Sequence, residues 1–329
     1  MPAPEPRRVD TVLVALLLVA LPLGTAPMEV ATGLCVAGAL ASPHRRAALT
    51  HPFVIPAVAL GGVWVAMIAA SGDVREGFGH VWPMAPLFAL PALRPDPRVR
   101  DLGLVAAALA AAWAVAQAAT GAEGHGGFSH HLSLAYALLP PLGYAVAARR
   151  HWIAGVLALG VAATGSAGAM PAVATTVAAA LLGGSLVAWL AGAAATVGLL
   201  LIASPGEISQ RAVLWTGGLT LLGHPTGPGA YPEASAPVYE RLQPGFWFPN
   251  HAHDSYVQLL AVLGPAGLAA FSWLITTALR LGERGATAGL AGVLVGALTQ
   301  DTFGDLEVSR ACWTWLALGA VQSLEARSR

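Results

Sequence analysis

Residues 102–120 read LGLVAAALAAAWAVAQAAT, nineteen consecutive positions without a charged group. The hydrocarbon core of a bilayer is about 30 Å thick and takes about 20 helical residues to cross, so this run reads as a membrane span. Working outward, similar runs recur at 10–25, 27–43, 50–70 and 79–93 on one side. On the other they recur at 131–148, 152–166, 168–183, 185–203, 255–279, 286–303 and 308–324. The whole chain agrees: 56% of its 329 residues are hydrophobic and 10% charged, with a mean hydropathy of +0.65, whereas soluble domains carry roughly 25% charged residues. The expected fold class is all-α, a polytopic transmembrane bundle of about 12 helices with one large extracytoplasmic loop. Residues 1–203 form a nine-helix region, 204–254 the loop, and 255–329 three more helices.

Charge distribution orients the bundle. The 17 basic residues are all arginine, which excludes a P-loop lysine and Schiff-base chemistry. With the N-terminus inside, thirteen arginines (7, 8, 45, 46, 94, 98, 100, 149, 150, 280, 284, 327 and 329) fall on the cytoplasmic side, and only Arg75, Arg211, Arg241 and Arg310 fall outside. Such a bias predicts a multi-pass protein of the cytoplasmic membrane with both termini cytoplasmic. The net charge is zero, so nothing points to nucleic acid as a partner. Cys35 and Cys312 lie inside apolar runs and read as buried free thiols. Residues 7–24 resemble a signal peptide in pattern but read better as a first anchor helix.

The loop 204–254 spans 51 residues, a length that is usually functional or disordered. Its Trp, Phe and Tyr content argues for a fold. Ile208 to Leu222 spaces its apolar residues by three and four, the pattern of an interfacial helix anchored by Arg211 and Trp215. Then follow a Gly/Pro-rich turn at 223–229, Tyr231, Tyr239, Arg241 and the run Phe246-Trp247-Phe248. That aromatic run reads equally as a sugar-packing surface or as a membrane-interface belt. On the outer face no nucleotide sugar is at hand, so a substrate arrives lipid-linked or pre-activated.

The most distinctive text is Asn250-His251-Ala252-His253-Asp254-Ser255-Tyr256-Val257-Gln258, leading to Gly264-Pro265-Ala266-Gly267. The spacing from His253 to Gly264 and Gly267, with Arg211, Trp215 and His224-Pro225-Thr226-Gly227-Pro228-Gly229 upstream, resembles the O-antigen ligase and O-antigen polymerase family. The resemblance covers about residues 155–324. Asp254 stands where that family has an amide or hydroxyl, and Ala167, in Thr164-Gly165-Ser166-Ala167-Gly168, replaces an arginine of a family turn. The resemblance implies glycan transfer from an undecaprenyl-diphosphate donor to a hydroxyl of a glycan, lipid or protein acceptor at the membrane lipid surface, without metal or other cofactor. In that chemistry a histidine near neutrality serves as general base, for which His253 is the candidate. Guanidinium forks bind phosphate oxygens, so Arg211 and then Arg241 are candidates for the diphosphate, with Arg310 in reserve. His251, Asp254, Tyr256 and Trp215 complete the expected substrate-binding set.

Other readings of these residues stand beside this one. Asp254 also reads as a helix N-cap, and the histidines as interfacial caps or, with His224 and Asp254, as zinc ligands. Arg211 reads as a headgroup anchor. Asp301, Asp305 and Glu307 read as helix caps or a metal-binding turn, and His125, His130 and His131 as interfacial. Pro83, Pro86, Pro91 and Pro140-Pro141 are expected to kink their helices and open a lateral groove. A transporter or flippase would need charge inside the spans, where Glu29 and Gln117 are the candidates. A non-catalytic assembly factor would tolerate Ala167.

Overall fold

The computed structural model describes residues 7–93, 95–183, 185–202, 205–245 and 251–327, and among them it is helical throughout, with no strand. The helices are α1 (Arg8–Ala20), α2 (Thr25–Ala41), α3 (Arg45–Leu49), α4 (Val54–Ser71), α5 (Val74–Val81) and α6 (Ala85–Ala89). Next come α7 (Val99–Ala119), α8 (His131–Ala137), α9 (Leu139–Ala147), α10 (His151–Ala163), α11 (Ala169–Leu182) and α12 (Ser185–Ile202). The chain continues through α13 (Pro205–Thr220), α14 (Tyr231–Leu242), α15 (Ser255–Leu281), α16 (Arg284–Gly296) and α17 (Leu306–Arg327). Three of these, α4, α7 and α15, are long and apolar enough to cross a membrane, and several shorter ones are apolar.

Two expected spans of the first half are broken, and proline is the reason; a third, 255–279, breaks at Gly264-Pro265. The run 79–93 divides into α5, the 3-10 turn Trp82–Met84, α6 and the 3-10 turn Leu90–Ala92. Pro83, Pro86 and Pro91 each sit in the first turn of a new segment, where the missing amide hydrogen costs nothing. The run 131–148 divides at Leu138, just before Pro140-Pro141. The run 286–303 is shorter than expected: α16 ends at Gly296, and 297–305 form a turn.

Packing places α9, α16 and α17 in the centre. Every residue of α16 from Gly285 to Gly296 is buried, and Gly143 of α9 lies so close to Gly285 and Gly289 that a Cβ there would sit 2.5 Å from a backbone oxygen. The periphery is inverted relative to a soluble protein. Val58 and Val65 on α4, Leu109 and Trp113 on α7, and Leu159 on α10 are all more than half exposed. So wide an apolar exterior requires an apolar surrounding.

The two ends differ in polarity. At the end holding the α15–α16 turn, Arg100 Nη1 lies 2.7 Å from Glu283 Oε2, with its guanidinium 4.6 Å over the Tyr144 ring. Arg45, Arg46, Arg149, Arg280 and Arg284 stand exposed there. The opposite end collects the α4–α5 corner, the α13–α14 segment, the start of α15 and the 297–305 turn.

Candidate functional site

The site grows from a break in α15. Pro265 has no amide hydrogen, so the Ala261 carbonyl loses its helical donor, and Gly264 at φ 68°, ψ −170° leaves the helix altogether. In a lipid-embedded helix each unmet backbone group costs several kcal/mol. The Gly/Pro turn supplies the missing donors: Thr226 N–H donates to Ala261 O at 3.0 Å and Gly227 N–H to Val262 O at 3.0 Å. Gly264 also leaves room for that turn, since a Cβ would fall 2.7 Å from Pro225 Cγ. The two glycine motifs therefore form one joint.

Ahead of the break runs the ribbon 251–255. Asp254 caps α15, its Oδ1 accepting from Tyr256 N–H at 2.8 Å and Val257 N–H at 2.9 Å. The Gln258 amide oxygen accepts from Ala252 N–H at 2.8 Å. Ser255 N–H donates to Ala297 O at 2.9 Å, and Ser255 Oγ lies 3.2 Å from Gln300 O and 3.1 Å from Asp301 Oδ1. The ribbon is thus bolted to the 297–304 turn, and His253 is held at φ 51°, a left-handed conformation that a non-glycine residue adopts at a cost. His253 N–H donates to His251 Nδ1 at 3.3 Å, and the two rings lie 4.3 Å apart.

His253 Nδ1 faces Gln300 Oε1 at 3.2 Å. With the amide oxygen as acceptor, the proton sits on Nδ1 and Nε2 keeps its lone pair. Burial, then the neighbouring His251 and, further down, the Arg211 charge, hold the imidazole down at about 4, against a smaller upward pull from Gln300. That is below the near-neutral value expected of this histidine, because the ring is buried, and it leaves the imidazole uncharged at physiological pH. Asp254 moves the other way, pushed up to about 6 by burial despite its two amide bonds.

Arg211 lies on α13, half-buried, and donates from Nη1 to the Thr299 carbonyl at 2.8 Å. A Cβ on Gly168 would lie 3.3 Å from Thr299 Oγ1, so the turn carrying Ala167 meets the same corner. α13 is fixed to α14 by Tyr239, whose hydroxyl donates to Leu214 O at 3.1 Å and lies 2.6 Å from the Tyr231 hydroxyl. Burial pushes both phenols up.

Beside the ribbon opens a cavity of about 380 Å³, lined by Trp64, Asp73, His80, Tyr231, His251, Gln258, Asp301 and Phe303 among others. Trp64 and His80 stack on its wall, 4.5 Å apart with planes 9° from parallel. The chain thereby offers carboxylates, an amide, imidazoles and a flat indole around one space, a lining suited to a polyhydroxylated ligand.

The expected site residues separate into groups. His251 lines the cavity; His253, Asp254 and Arg211 are not part of its lining, and His253 and Asp254 both lie within reach of the Arg211 and Asp301 charges. Arg241 is exposed in the last turn of α14 and donates from Nε to Pro237 O at 3.1 Å, capping its own helix. Tyr256 turns to α16 and donates to Leu294 O at 2.9 Å. Trp215 is half-buried on α13. Phe246, Trp247, Phe248 and Asn250 lie outside the described residues. Arg310 points into the bundle, fully buried, with Nη1 2.8 Å from Glu29 Oε1; the Trp82 indole donates to the other oxygen. Asp305 Oδ1 caps α17, and Glu307 accepts from Thr25 at 2.9 Å and from the Ser129 hydroxyl at 2.9 Å. Among the described residues no three His, Cys, Asp or Glu side chains are grouped to hold a metal ion.

Trp64, Asp73 and His80 are not singled out by the sequence, because the first half of the chain reads as a stack of spans. The signal was the polar stretch Ser71 to His80 after an apolar run, whose α5 helix stands against the Gly/Pro turn. No family model matches the chain, and no curated protein matches it.

Proposed function

We propose that the chain crosses the cytoplasmic membrane about twelve times, both termini inside, and transfers a glycan from an undecaprenyl-diphosphate carrier to an acceptor hydroxyl on the outer face. The observation that carries this reading is a polar cavity lined by His251, Asp73, Gln258 and Asp301 at the arginine-poor end of the bundle, with His253 the neighbour of His251 and the Arg211 charge near His253. The acceptor oxygen attacks the anomeric carbon as the bond from that carbon to the diphosphate oxygen breaks. The hydroxyl proton passes to His253 Nε2, and the departing electron pair goes to the diphosphate, whose negative charge Arg211 offsets. Asp73, Asp301 and Gln258 accept from sugar hydroxyls, while Trp64 gives a face for the ring.

The test uses proteoliposomes and a labelled undecaprenyl-diphosphate glycan, offered alone and then with candidate acceptors. Lengthening of the lipid-linked glycan identifies a polymerase, and label on an added acceptor identifies a ligase; either persists after chelation. Absence of transfer by folded protein with every acceptor sinks the reading. A second reading, movement of the lipid-linked glycan across the membrane, draws on the Glu29–Arg310 pair inside the spans. It requires the label to change sides without covalent change.

A further inference from the structure

At the arginine-rich end a second cavity, about 510 Å³ and almost wholly apolar, opens between α2, α4 and α6. Val36, Leu40, Trp82, Phe88 and Ala92 line it, and Arg45 and Arg46 stand together at its mouth, both exposed. Through the 3-10 turns and the short α6 from Trp82 to Ala92 the chain can rise at most about 15–20 Å, at about 1.5–2.0 Å per residue, comparable to one leaflet of the hydrocarbon core. The mouth is fixed by Ser42, whose hydroxyl donates to Ala92 O at 2.8 Å, and Arg45 Nη1 reaches the Leu40 carbonyl at 3.4 Å.

We infer that this cleft holds one anionic phospholipid of the inner leaflet, an acyl chain in the apolar cleft and its phosphate between Arg45 and Arg46. Charge complementarity selects the ligand: the interior has nothing for a sugar or peptide to bond, and the only strong recognition groups are two guanidinium forks at headgroup height. The inference rests on the membrane reading of the chain and is independent of glycan transfer.

The experiment titrates delipidated full-length protein in detergent with phosphatidylglycerol and, separately, phosphatidylcholine, counting bound lipid by native mass spectrometry. Retention of phosphatidylglycerol over phosphatidylcholine is expected. The double variant Arg45→Gln/Arg46→Gln, at exposed positions, binds phosphatidylglycerol about thirtyfold more weakly, and Val36→Phe, which narrows the cleft, also loses it. Arg149→Gln/Arg150→Gln removes the same charge at the same end and leaves binding unchanged. Equal binding of the two lipids, undiminished binding by Arg45→Gln/Arg46→Gln, or an equal loss in Arg149→Gln/Arg150→Gln overturns the proposal. Displacement of the lipid by millimolar glycerol phosphate overturns it as well, since that would leave the cleft no part in binding.

Discussion

The two ends of the bundle use charge in opposite ways. At the arginine-rich end most guanidinium groups stand exposed, over short turns; the exceptions in charge burial are the Arg100–Glu283 pair and Asp10, which is buried beside Arg7. At the histidine-bearing end Glu307, Asp254 and Arg310 are all less than a tenth exposed, and each carboxylate caps a helix, bonds a hydroxyl or pairs with a cation. Exposed charge near a membrane surface gains solvation and headgroup contact at little structural cost. Buried charge is costly unless every partner is placed. The polar construction therefore marks the histidine-bearing end as the one whose geometry has to be held, and the cavity lies there.

The comparison breaks most directly at His253. If the ribbon holds a general base, His253→Ala lowers transfer by at least about 100-fold with the protein still abundant and folded in detergent; undiminished transfer would reduce the ribbon to architecture. Arg211→Lys tests the corner next, because a point charge replaces a fork. A loss of about tenfold or more in turnover is expected, and wild-type turnover would leave Arg211 as an anchor for α13.

Stability tests the joint and the ion pair. Gly264→Ala forces a φ/ψ combination that only glycine adopts and drives a methyl into Pro225, so a loss of about 2–3 kcal/mol is expected in thermal or denaturant unfolding. Glu29→Ala leaves the Arg310 guanidinium buried without its partner. With Glu29 itself about a third exposed, a loss of about 2–3 kcal/mol is expected, and Glu29→Ala/Arg310→Met recovers much of it. A single variant that matches wild type would show that the pair contributes little.

The smallest effect is in pH. A histidine held down at about 4 in the fold, below its ordinary 6.5, contributes stability that is full above 6.5 and lost as pH falls through 4. An aspartate raised from 3.8 to about 6 contributes stability present below 3.8 and lost as pH rises through 6. The two slopes oppose each other between pH 4 and 6, so the melting temperature stays nearly flat there. His253→Gln unmasks the aspartate, and stability then falls as pH rises from 4 to 6. The transfer rate in wild type keeps its acid limb near pH 4, and a limb at 6.5 would assign the base to another histidine.

Much of this was legible. Twelve apolar runs foretold helical segments because a lipid-facing stretch must satisfy its own amides, and the helix is the local way to do so. The cap at Asp254 was readable from its place before a helix; the run 255–279 read as one span, and the break at Gly264-Pro265 shows only in the structure. The amphipathic run from Ile208 agrees with α13, though the described part of the loop includes a second helix, α14, with Pro232 in its first turn.

By itself the sequence determined an apolar chain that is helical throughout its described residues, since hydropathy and backbone hydrogen bonding act within a few turns. Only the tertiary structure decided that Trp64 and His80 share a cavity with His251, that Gln300 orients His253, and that Arg310 serves Glu29 rather than the site. Those pairings join residues 47 to 281 positions apart, and no local propensity encodes them. They arise when buried polar groups find partners as the helices pack.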